Sequence, residues 1–169
     1  MQTGTHPYRP YQEAGGLLLV LDPKRFFASL SCNASLAWRH LLSVSFAAAM
    51  LHYLTGGIWN NWFSTFVFFL NAVGMTCIYS ASIFLFARGI FRKPCSFRKV
   101  FTICVYASLG PLFLSWIPGA IWIIEPWKWW TSAIGLSTCI PTGLGKTVMV
   151  IGFALGAMYM LFRIALYIV

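Results

Sequence analysis

The side chains best suited to ligate a metal or move a proton are few here: five cysteines, three histidines and three acidic residues in a chain of 169. Cys32, Cys77, Cys95, Cys104 and Cys139 are widely spaced, with no C-x-x-C pair. They make neither a zinc site nor a disulfide framework, and read as small apolar packers. His40 and His52 fall on one helical segment, about 18 Å apart at the rise of an α-helix. No other apolar segment carries a histidine. A haem held by two histidines is therefore excluded, and a His-plus-Met site through His52 is the weaker reading, because axial ligation needs a facing ligand in a prepared pocket. Glu125 is the only acidic residue after Asp22, so neither a carboxylate pair nor a catalytic triad can be assembled. Gly143-Leu144-Gly145-Lys146-Thr147 ends like a phosphate-binding loop, but Ile140 stands where that pattern needs glycine, and no strand precedes it. The sequon Asn33-Ala34-Ser35 reads as chance. The expectation is a protein with no catalytic, cofactor-binding or metal-binding residues, and hence not an enzyme.

The elements that carry these residues are apolar. Residues 40 to 87 contain no Lys, Arg, Asp or Glu, and are interrupted only by the turn-like run Gly56 to Trp62. A bilayer core of roughly 30 Å takes about 20 apolar residues per helical pass, so this stretch reads as a transmembrane hairpin. Further uncharged stretches run from Val100 to Ile124, Trp129 to Gly145 and Thr147 to Phe162. With 59% hydrophobic and 9% charged residues, the chain leaves no room for a soluble domain. The predicted fold is an all-α polytopic bundle of five spans, at about 41 to 58, 64 to 87, 99 to 117, 120 to 140 and 147 to 168. The fourth is interrupted by Glu125, Pro126 and Lys128. A charge at the bilayer centre costs roughly 2.5 to 3.5 kcal/mol, so an interfacial turn with a short span starting near Trp127 is expected.

Charge sets the expected orientation, because short loops rich in Lys and Arg stay in the cytoplasm. All of the twelve basic residues except Lys128 and Arg163 fall on one side of the five-span topology. The N-terminus is thereby placed inside and the C-terminus outside, in a bacterial inner membrane. Seven of the eight tryptophans, all but Trp38, then lie at or near the outer surface. This cap reads first as an interfacial aromatic belt. Trp59, Trp62, Trp122, Trp127, Trp129 and Trp130, with Glu125 and Lys128, are also the candidate contacts for an outer-face lipid, quinone or partner.

Before the spans, residues 1–21 read as a cytoplasmic tail, polar and proline-containing at its start. Asp22-Pro23 reads as an N-cap followed by proline at the first helical position. At 100° per residue Phe26, Phe27, Leu30, Ala34, Ala37 and Trp38 share one arc, which predicts an interfacial amphipathic helix over 22–39 ahead of a transmembrane domain over 40–169. Lys24, Arg25, Arg92, Lys93, Arg98 and Lys99 are the candidate contacts to anionic lipid headgroups, each contributing on the order of 1 kcal/mol. The net charge of +9 is accounted for without nucleic acid. In the last span Gly152 and Gly156 form a small-xxx-small face that lets a helix approach closely, with packing inside the chain preferred over homodimerisation. Gly110-Pro111 should kink the third span.

Leu21-Asp22-Pro23-Lys24-Arg25-Phe26-Phe27, the basic run Arg92 to Lys99 leading to Tyr106-Ala107-Ser108-Leu109-Gly110-Pro111, Trp127-Lys128-Trp129-Trp130 with Ile134-Gly135-Leu136-Ser137, and Leu144-Gly145-Lys146-Thr147 together resemble the prokaryotic Yip-domain proteins. The resemblance covers most of the chain and implies five spans with a cytoplasmic N-terminus. Eukaryotic relatives bind Rab-type GTPases, but the long cytoplasmic N-terminal domain they use is not seen here. No catalytic residues carry over. The leading expectation is a non-enzymatic accessory or scaffold subunit whose partners are membrane lipids and other membrane subunits. The alternative is a small carrier or lipid-handling protein, and a polar cavity at mid-membrane would favour it. A cofactor-free subunit of an electron-transport complex is the third reading.

Overall fold

A computed structural model describes residues 19–30, 33–55, 61–91, 96–115, 117, 119–140 and 143–168. Among them there is no strand. The principal helices are α1 (Pro23–Ser29), α2 (Ala34–Thr55), α3 (Trp62–Phe91), α4 (Phe97–Leu114), α5 (Ile121–Cys139) and α6 (Leu144–Ile168). Four stretches, α2, α3, α4 and Leu144–Ile164 of α6, are long and apolar enough to cross a membrane. Helix α5 has 19 residues and the length to do so, but carries Glu125 and Lys128 near its start and falls outside that group.

Ring contacts fix the relative directions of the helices. Tyr53 near the end of α2 stacks on Trp62 at the start of α3, with centroids 4.6 Å apart, so these two are antiparallel. Trp38 meets Phe101 and His40 meets Tyr106, so α2 and α4 run the same way. Phe84 on α3 meets Phe97 at the start of α4. The ammonium of Lys99 donates to the Cys139 carbonyl at 2.8 Å, which brings the start of α4 to the end of α5. The helices thus alternate, and α1 lies at the end shared by the starts of α2 and α4. Lys24, Arg25, Arg39, Arg88, Arg98 and Lys99 all gather at that end.

Helix α4 is the centre of the packing. It contacts α2, α3 and α5, and every residue from Val100 to Ser108 is buried. Helix α6 packs on α3 and α5 through Val150, Ile151 and Ala154. Gly152 and Gly156 are exposed instead, and no neighbouring atom lies within 4 Å of where a Cβ would stand on either. The expected close approach inside the chain is therefore not made on that face. Gly135 supplies one: a Cβ there would stand 2.6 Å from the Ile103 Cγ2 and 3.1 Å from the ring of Phe27. That gap lets α1 and α4 both press against α5.

The segment expected as one amphipathic helix is two. Asp22 caps α1 as its sequence predicts, its carboxylate accepting from the Arg25 N–H at 3.1 Å, with Pro23 in the first turn. The helix ends at Ser29, where Leu30 turns extended. Asn33 then accepts from the N–H groups of Ser35 and Leu36, capping α2 at Ala34. The asparagine of the apparent sequon is thus an N-cap, and Ala34 to Arg39 belong to α2. Phe27, 1% exposed, packs into the core, and the Cys139 thiol lies 3.6 Å from its carbonyl. The interfacial turn expected at Glu125 is also absent: α5 begins at Ile121 and continues through Pro126 and Lys128.

Candidate functional site

Along α3, residues 68, 71, 72, 75, 76 and 79 follow the i, i+3, i+4, i+7 spacing of one helical face. That face, carrying Asn71, Thr76 and Tyr79, lines a cavity of about 450 Å³ closed by Ser108, Pro111, Leu112 and Ser115 of α4 and its end, Ile124, Glu125, Lys128 and Trp129 of α5, and Leu155 and Met158 of α6. The volume is that of pockets holding small organic molecules, roughly 300 to 1,000 Å³. Ser115 and Glu125 lie toward the end where α4 stops and α5 begins. Tyr79 and Ser108 lie deeper, so the cavity runs inward from that end. Pro111 has no N–H to donate to the preceding turn, which leaves helix α4 with irregular hydrogen bonding beside the cavity.

The charged pair sits in its wall. Lys128 donates to both carboxylate oxygens of Glu125, at 2.6 and 2.5 Å, and its side chain is 19% exposed. The same ammonium lies 5.4 Å from the centroid of the Tyr79 ring, within the range of a cation–π contact. Two charges on one helix, a turn apart, neutralise each other locally, which is what makes an α5 containing them tolerable in an apolar setting.

The buried polar side chains bond mostly within their own helices. Buried hydroxyls, those of Thr76 and Ser108 in the cavity wall included, close onto their own helix: Thr76 donates to the Ala72 carbonyl, Ser80 to Thr76, Thr102 to Arg98, Ser108 to Cys104 and Thr131 to Trp127. Such back-bonding satisfies a hydroxyl without a partner helix. Among the described residues, the buried polar side-chain atoms left without a hydrogen bond are Ser45 Oγ, Tyr79 OH, Trp129 Nε1 and Ser132 Oγ. Tyr79 and Trp129 line the cavity. Ser132 is the polar neighbour of the Tyr79 hydroxyl, although the two do not meet hydrogen-bond geometry. Both of those polar atoms are enclosed by protein, and the Tyr79 hydroxyl lies beside Ser132 and Cys104, which do not line the cavity.

The residues singled out from sequence divide. Glu125, Lys128 and Trp129 come together in the cavity wall. Trp122, 84% exposed, with Trp62, Trp127 and Trp130, faces outward. Lys24, Arg25 and Arg98 are exposed at the opposite end, where Arg25 pairs with Asp22 at 3.0 Å. Lys99 differs from the headgroup role expected for it: it turns inward to the last carbonyls of α5, a cation at a helix C-terminus. Trp59, Arg92, Lys93, Cys32 and Cys95 lie outside the described residues, as do Trp116, residues 1–18 of the tail and the Gly56-Gly57 turn. His40 contacts the Tyr106 hydroxyl at 3.0 Å and His52 stacks on Phe68. Among the described residues no three His, Cys, Asp or Glu side chains converge in a way that could hold a metal.

Asn71, Thr76 and Tyr79 were not anticipated as site residues. Their signal is the shared helical face, which only stands out once α3 is known to bury that side. Comparison with known proteins finds no family model, no curated protein and no solved structure that matches the chain.

Proposed function

We propose that this chain is a non-enzymatic membrane protein that binds a small amphiphile between α3, α4, α5 and α6, acting as a carrier or lipid-handling protein. The observation that carries this reading is the cavity itself: a mostly apolar chamber with an ion pair in its wall, surrounded by helices of membrane-spanning length. In this reading α5 is a fifth span, its ion pair standing toward the outer end, and α1 lies along the inner interface with Lys24 and Arg25 at anionic headgroups. The N-terminus is cytoplasmic, the C-terminus is outside, and the membrane is a bacterial inner membrane. This topology agrees with what the resemblance to Yip-domain proteins implies.

A second reading, an accessory subunit of a larger membrane complex, is supported by Gly152 and Gly156, which stay open on α6. Mild purification from native membranes followed by mass spectrometry of all co-migrating components separates the two. A monomer or homodimer retaining a stoichiometric small amphiphile supports the carrier. A fixed set of larger subunits with no retained amphiphile overturns it in favour of the accessory role.

A further inference from the structure

Resting on the binding role just proposed, we infer that the occupant is a single-chain amphiphile held tail inward, its hydrocarbon chain filling the depth of the cavity and its polar head stopping at Asn71. Toward the deep end the side-chain donors of the wall are already engaged. Thr76 and Ser108 donate to the carbonyls of Ala72 and Cys104 on their own helices. The Lys128 ammonium is held by both oxygens of Glu125 and lies over the Tyr79 ring. The Tyr79 hydroxyl and the Trp129 indole N–H are enclosed by protein. The surface left to the cavity is mostly hydrocarbon, with Met75, Leu112, Leu155 and Met158 in its wall, and the methionines can adapt to the shape of a chain. A head group drawn in there would lose its hydrogen bonds to water without replacing them, whereas a chain has none to lose.

Asn71 is the exception. It is exposed where it meets the cavity, nine residues after Trp62 and so about 13 Å along α3. Tyr79 stands eight residues further on, about 12 Å deeper. Among the described residues the Asn71 side-chain amide has no hydrogen-bond partner. An amide that both donates and accepts, set on a helix of membrane-spanning length, needs a polar partner, and a head group at that level supplies it. Size limits the tail to one chain. A cavity of about 150 Å³ takes the six carbons of benzene, so 450 Å³ takes roughly 18 by the same measure. The second chain of a bilayer phospholipid has no place in it.

Three photoreactive probes test both orientation and chain number. Two are monohexadecanoylglycerols carrying a diazirine either at the chain terminus or beside the ester, and the third is a two-chain phosphatidylcholine carrying the terminal diazirine on one chain. Each is added to nanodiscs holding the full chain and photolysed, with and without excess unlabelled monohexadecanoylglycerol, and the attachment sites are read by tandem mass spectrometry. The expected result is competable attachment of the terminal diazirine between Met75 and Tyr79 and around Ser108, and of the ester-side diazirine at Phe68, Asn71 and Ser115. The two-chain probe should label the cavity at least about tenfold less. Asn71→Leu should raise the half-saturating concentration by about fivefold, the loss of one hydrogen bond, with the attachment sites unchanged. A reversed pattern of sites would overturn the tail-inward orientation while leaving the binding role standing. Equal labelling by the two-chain probe would overturn the limit to one chain. An unchanged half-saturating concentration in Asn71→Leu would overturn the place given to the head. No competable attachment at any of these residues would remove the binding role and this inference together.

Discussion

Glu125 and Lys128 were visible in the sequence as the polar groups among the outer tryptophans, but not their destination. Their spacing of three fits an ion pair on a helix. Nothing in the sequence says that Tyr79, 46 positions before Glu125, supplies the ring under the ammonium. That partner depends on which face of α3 turns inward, and α3 is apolar nearly all round, so no polar stripe marks its outer side. Because the pair is largely withdrawn from water, breaking it should cost more than a surface pair would. Glu125→Gln is expected to lower stability by about 2–3 kcal/mol, and Glu125→Gln with Lys128→Gln by less than the sum of the two single changes. Thermal unfolding of the four proteins in one detergent checks this, and strict additivity would show that the charges are uncoupled.

At the scale of elements, the long helices were legible because about 20 uncharged residues admit few alternatives. The expected spans and α2 to α6 differ by a few residues at their ends, α2 beginning at Ala34 rather than near 41, α3 running on to Phe91 and α4 stopping at Leu114. Short elements were less legible. The amphipathic arc from Phe26 to Trp38 was real as a pattern, yet Asn33 divides it, because an asparagine side chain that caps the next helix competes with continuing the first. Likewise the small residue that permits close packing is Gly135, not Gly152 or Gly156; a glycine advertises the capacity for close approach, and only the fold selects which one uses it. Gly135→Ala would drive a methyl into Ile103, whose branched side chain is stiff and wholly buried. A loss of about 1–3 kcal/mol is expected. Gly152→Ala, facing open space, is the matched control and should leave the midpoint of unfolding unchanged unless a partner helix covers it.

For the whole molecule, charge and helix direction tell one story from two sources. The ring contacts and the Lys99–Cys139 hydrogen bond bring the starts of α2 and α4 and the ends of α3 and α5 to one end, where Lys24, Arg25, Arg39, Arg88 and Arg98 are exposed, while Arg163 lies toward the other. The positive-inside rule is what leads the reading proposed above to take that end as the cytoplasmic one. With the native cysteines replaced and one introduced by Ser96→Cys at the start of α4, an impermeant thiol reagent should reach it only after the cells are opened. Labelling in intact cells would invert the topology and put the cavity mouth on the cytoplasmic side.

The central claim is that the chamber between α3 and α6 is occupied by a small amphiphile. Ala72 is buried in its wall, and Ala72→Phe places a ring in the space while leaving both members of the ion pair in place. The most direct measurement is the quantity of small amphiphile retained per protein, by mass spectrometry, in the unaltered chain and in Ala72→Phe purified side by side at equal helix content. The account predicts near-stoichiometric retention in the first and at least about a tenfold loss in the second. Equal retention in both would contradict it.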